Sequence, residues 1–96
     1  MPTCDLTTYS PWEDLGRRDI ALAWWILPED ENARWVPDIR TIVLDPRLTA
    51  DERRHALAHE LAHVDLEHDV RATGAAMVAQ EREAERLAAE RLGAMG

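Results

Sequence analysis

The sequence predicts an α+β fold, a small three-stranded antiparallel sheet packed on a capped helix and a second, C-terminal helix. Three observations predict it. Short apolar or β-branched runs lie between residues 20 and 44, each closed by a proline or a turn former. A capping box stands at Thr49-Ala50-Asp51-Glu52. Two long stretches of helical periodicity come after it, so strands and helices are segregated along the chain.

Residues 1–18 read as an N-terminal arm of mixed character, with turn formers at Pro2, Ser10, Pro11 and Gly16. Trp12 and Leu15 fit one short helical turn that docks an apolar group or two. Residues 19–46 hold the sheet. Ile20 to Leu27 is apolar without a break and ends at Pro28, which predicts a strand covered on both faces. Trp24, Trp25 and Trp35 are expected in the core, and one of them is free to face a groove because adjacent strand residues point to opposite faces. Pro28 to Asn32 forms a turn. Ala33 to Val36 is a second strand that Pro37 ends or confines to an edge. Thr41 to Leu44 is the third, closed by Asp45-Pro46. Three short strands in succession favour an antiparallel meander.

Thr49 and Glu52 can satisfy each other's backbone amides, so a helix is expected over 49–68, with Leu57, Leu61 and Val64 as its core-facing ridge. Asp65 to Gly74 is polar and reads as a loop. Residues 75–92 are again helical, with Gly93 as a stop signal. A length of 96 residues suits one domain, 1–96, marginal on its core alone and helped by a bound metal.

Composition narrows the function. The net charge is -8, all eleven basic residues are arginines, and no basic block occurs, so a direct nucleic-acid partner is not expected. The single cysteine, Cys4, excludes an intrachain disulfide and a Cys-rich zinc site. Neither a signal peptide nor an apolar span of about 20 residues is visible, so a cytoplasmic protein without a membrane partner is expected.

His59-Glu60-Leu61-Ala62-His63 is H-E-x-x-H in the middle of the capped helix. Residues one turn apart share a face, so two imidazoles can converge there on one zinc ion. Glu60 sits beside that face, where it can serve as general base toward a water. Histidine is rare, and the apolar neighbours Leu57, Ala58, Leu61 and Ala62 mark a buried helix, which does not carry such polar groups without a use. A catalytic zinc needs a third protein ligand. Asp69 stands ten residues after His59, but Leu66 occupies the place where that layout wants a glycine. His68 and Glu67 lie on or just past the same helix, and such neighbours seldom bend back. Glu81 is the better choice if the second helix folds back antiparallel, with Ala84 and Ala88 allowing close approach. Glu85, one turn on, can accept a hydrogen bond from a ligand histidine's outer nitrogen. A solvated face pairing Glu81 and Glu85 with Arg82 and Arg86 is the alternative.

Arg54 to Val64, together with Glu81 to Ala89, resembles the ImmA/IrrE family of metallopeptidases, which is gluzincin-like. The resemblance covers roughly residues 20–92. It implies His59, His63 and Glu81 as zinc ligands, Glu60 as the catalytic glutamate, and a protein substrate, a transcriptional repressor of a phage, mobile element or stress response. Glu85 stands where the family often has Asn or Asp, and Ala62 where glycine is common. The chain stops at Gly96 without the Leu-Met-Pro segment that often follows, which leaves a partner room to complete the substrate surface.

Three other residues carry smaller signals. His55 is expected as a partly exposed structural histidine rather than a substrate-binding group. Tyr9 as an oxyanion donor and Cys4 as a thiolate cap on zinc are the weaker readings of those residues. Two functions compete with the peptidase: a regulatory protein-binding module with structural zinc, and a hydrolase of non-peptide amides. Glu60 favours the enzyme, since a structural site has no need of it.

Overall fold

The computed structural model describes residues 9–93. Cys4 and Pro2 lie outside them. Helix α1 spans Pro11–Gly16, where the Ser10 hydroxyl accepts the Glu13 amide and a proline opens the first turn. Pro11 and Leu15 are buried while Trp12 stays exposed, so the arm docks through Leu15.

The sheet consists of β1 (Ala21–Trp24), β2 (Ala33–Val36) and β3 (Thr41–Leu44), in the order β1-β3-β2. It is mixed, not an antiparallel meander. β3 pairs parallel with β1, with Leu22 beside Ile42, and antiparallel with β2, with Trp35 beside Ile42. The physical reason is burial. Thr41, Ile42 and Leu44 are all buried, so β3 takes the centre, where both neighbours cover it. Pro37 leaves β2 at an edge.

The run from Ile20 to Leu27 is not a strand covered on both faces. It pairs only as far as Trp24, and Trp25 and Ile26 are 71% and 62% exposed. Asp45 ends the strand. Its buried carboxylate accepts the Leu27 amide at 3.0 Å and the Arg47 side chain at 2.7 Å, which draws the connection toward β2 across the end of β3. The Arg47 hydrogen bonds hold the Asp45 carboxyl well below the usual carboxylate range. Trp24, also expected in the core, is half-exposed, with the Arg53 guanidinium 5.2 Å over its ring. Trp35 alone of the three packs against the core.

Helix α2 spans Ala50–Asp65, with both hydrogen bonds of the capping box formed at 2.8 and 3.2 Å. Leu57 and Leu61 are wholly buried and join Leu15, Ile42, Leu44 and Ala56 in one core beneath the sheet. Helix α3 spans Gly74–Arg91 and folds back onto α2. Ala58 and Ala62 of α2 and Ala84 and Ala88 of α3 are wholly buried, and small side chains at such positions let two helix axes come close. Among the described residues no helix is long and apolar enough to cross a membrane.

Candidate metal centre

α2 carries His59, Glu60 and His63 within one turn and a half, and α3 brings Glu81 against them. The Nε2 atoms of His59 and His63 are 3.1 Å apart. One Glu81 oxygen lies 2.9 Å from His59 Nε2 and the other 3.0 Å from His63 Nε2. The metal-capable atoms of His59, Glu60 and His63 lie within 4.8 Å of one another. The structure thus brings together the four site residues expected from the sequence.

The donor set fits a divalent cation. Bonds of about 2.0–2.1 Å arranged tetrahedrally give donor–donor edges of roughly 3.3 Å, close to those between these atoms. The charges agree. Burial opposes a charge on His59, but its hydrogen bonds to Glu81 and Glu85 and the charge of Glu60 outweigh it and raise its pKa. His63 goes the other way, lowered by burial and by the neighbouring His59 and His68. Glu60 is pushed up to about 7, chiefly by burial, with His59 and a backbone hydrogen bond from Trp35 pulling the other way.

A ring of partners surrounds these groups. Glu85 accepts from His59 Nδ1 at 3.0 Å and from His55 Nε2 at 2.9 Å. Glu81 and Glu85 thus face histidines, not Arg82 and Arg86. Burial raises Glu85, but hydrogen bonds from His55 and His59 bring it below its ordinary value. His55 is exposed, as expected. Asp69 stays apart from the imidazoles: its carboxylate takes the Arg71 amide, and its backbone is clamped by Gln80. Tyr9 spends its hydroxyl on Asp14 at 2.6 Å, which removes it as an oxyanion donor in this arrangement.

His68, expected not to bend back to the metal, bends back onto the outer nitrogen of His63 instead. Its Nδ1 sits 2.9 Å from Nδ1 of His63, and its Nε2 sits 2.7 Å from Glu83. The cause is a Schellman ending: Glu67 adopts the left-handed conformation (φ 55), and the His68 amide donates to the His63 carbonyl at 3.2 Å. No glycine announces that turn.

Two adjoining clefts flank Glu60 and Glu81. One, of about 230 Å³, is lined by Trp35, His63, His68 and Val70 among others. The second, wider one is lined by Asp30, Glu52, His55 and Glu85, among others. Trp35 is therefore the tryptophan at the groove.

Among solved structures, the chain is similar to one described as a Mycobacterium tuberculosis transcriptional regulator, at 23% identity and a TM-score of 0.63, over 84% of this chain and 28% of that one. This chain therefore spans under a third of the regulator's length, and the likeness is one of fold. It is also similar, at 22% identity and a TM-score of 0.49, to the metallopeptidase zymogen abylysin of Pyrococcus abyssi, over 88% of this chain and 87% of that one. No curated protein matches. The profile of the IrrE N-terminal-like domain matches residues 26–94, which take in both helices and all four residues of the centre. The chain belongs to this IrrE-like family of metallopeptidases.

Proposed function

We propose that the chain is a zinc-dependent endopeptidase of the cytoplasm, with His59, His63 and Glu81 as ligands and Glu60 as general base, acting on a transcriptional repressor or similar regulatory protein. The observation that carries this is the convergence of two imidazole nitrogens and a carboxylate within 3.1 Å of one another. Zinc, when bound, supplies Lewis acidity toward a carbonyl oxygen and lowers the pKa of water.

The rest is done by the chain's own groups. Glu60, with a pKa near 7, takes a proton from the attacking water and hands it to the leaving amine. Glu85 orients His59 through its outer nitrogen. β2 is an edge strand, and Ala33 and Trp35 line the cleft beside Glu60, so an extended peptide has a strand to add to. The repressor substrate rests on the family resemblance, and a fold shared with a transcriptional regulator is consistent with it.

Metal analysis of the purified protein, with a cleavage assay on candidate transcriptional repressors, tests the reading. Glu60→Gln is expected to keep zinc and to lose about 10²–10⁴-fold in cleavage rate. Full biological activity in that variant would replace the enzyme with a zinc-stabilised binding module.

A further inference from the structure

The inner nitrogens of His59 and His63 face the centre, but their outer nitrogens are held differently. Glu85 takes that of His59. That of His63 meets another imidazole, His68, itself held by Glu83. Two facing ring nitrogens 2.9 Å apart need one hydrogen between them. A carboxylate offers only lone pairs, so His68 carries hydrogen on Nε2 and donates it to Glu83. His68 Nδ1 is then a lone pair, and it accepts from Nδ1–H of His63. When a metal takes the place of the hydrogen between His63 Nε2 and Glu81, 3.0 Å apart here, His63 keeps hydrogen on Nδ1 alone, the form a ligand imidazole requires. The opposite order would put hydrogen on His63 Nε2 and close the centre to a cation.

The backbone is shaped to deliver this contact. The left-handed Glu67 turns the chain so that His68 returns over the last turn of α2, where its side chain is only 9% exposed. A Schellman ending usually seals that place with an apolar contact. Here an imidazole pair stands in it.

The geometry points to His68 and Glu83 as a positioning relay for the metal centre, Glu83 setting the tautomer of His68 and His68 that of His63. This inference rests on the proposed metal centre. Both residues act on the metal through His63.

The test uses the full chain with Zn²⁺ alone, its affinity read by competition with a chromophoric chelator. His68→Phe keeps the ring and removes the acceptor, and should weaken zinc 10- to 100-fold, as roughly expected for loss of a ligand's outer partner. His68→Asn, whose amide oxygen replaces Nδ1, should restore affinity to within a few-fold of wild type. Glu83 is exposed on α3, so its variants should fold: Glu83→Leu should weaken zinc, and Glu83→Gln should largely retain it. Nitrogen NMR of the metal-free protein should show hydrogen on His63 Nδ1 in wild type, and a bare Nδ1 with the hydrogen on Nε2 toward Glu81 in His68→Phe. Wild-type affinity in His68→Phe overturns the relay, as does complete loss in both His68 variants, which would make His68 a ligand. A wild-type chain that binds no zinc fails separately, at the level of the metal centre itself.

Discussion

At the residue scale, the most informative position is Glu67. It is neither glycine nor asparagine, yet it holds φ 55 at the end of α2. The left-handed conformation costs an L-residue roughly 1–2 kcal/mol. Glycine removes that cost and adds back about 0.5–1 kcal/mol of backbone entropy. Glu67→Gly is therefore expected to stabilise the metal-free protein by up to about 1 kcal/mol. Glu67→Val, branched at Cβ, should destabilise it. Chemical denaturation of both variants measures this, and a destabilised glycine variant would mean that the Glu67 side chain earns its place by a contact of its own. The same position explains why the contact of His68 with His63 is not legible in the sequence. A left-handed residue is legible when it is glycine, and a glutamate there gives no local signal.

At the element scale, the centre is a property of two helices and the distance between them. α2 sets His59 and His63 one turn apart, and that spacing follows from the helix alone, so it could be read from five consecutive residues. The capping box was legible for the same reason, since both its partners lie within four positions. The strand order was not. Pairing of β3 with β1 depends on which strand is buried most completely, and no local pattern ranks that. The exposure of Trp25 was hidden likewise, because Asp45 truncates β1 from 20 residues away. Glu81 stood between these cases: it was readable as one of several candidates, and only the return of α3 brings it to the imidazoles. That return depends on Ala58, Ala62, Ala84 and Ala88. Ala84→Leu adds a branched side chain to a wholly buried position, and such overpacking costs about 1–3 kcal/mol. It should also move Glu81, one turn earlier, away from the histidines, so zinc affinity should fall together with the melting temperature of the metal-free protein. If both stay at wild-type values, the alanines do not set the interhelical distance.

At the scale of the whole molecule, the family match begins at residue 26, so α1 and β1 precede it, yet they are built into the same body. β1 supplies the parallel partner of β3. α1 is tied in through charge. Arg18 donates to Asp14 of α1 at 2.9 Å and to Asp65 at the end of α2 at 2.6 Å, while Arg91 at the end of α3 also donates to Asp65. Asp65 thus joins three helices. The Arg18 hydrogen bonds hold its carboxyl below the ordinary value against the opposing effect of burial, and Arg91 adds to them. Asp14 has burial as its largest influence, pushing it up, but Arg18 and Tyr9 together bring it down. Both carboxyls have folded pKa values depressed relative to the unfolded chain. Their stabilisation is complete above the unfolded value of about 3.9 and is lost as pH falls through the lower folded values. Asp65→Asn should therefore cost about 1.5–3 kcal/mol at neutral pH, the range for hydrogen bonds to charged groups. The gap to wild type should hold steady from pH 7 to about 5, narrow below about 4, and close in stronger acid, where wild type has lost the same charge. Urea denaturation across that range, on metal-free protein so that ligand protonation does not enter, measures the gap. A difference independent of pH would assign the role of Asp65 to shape rather than charge.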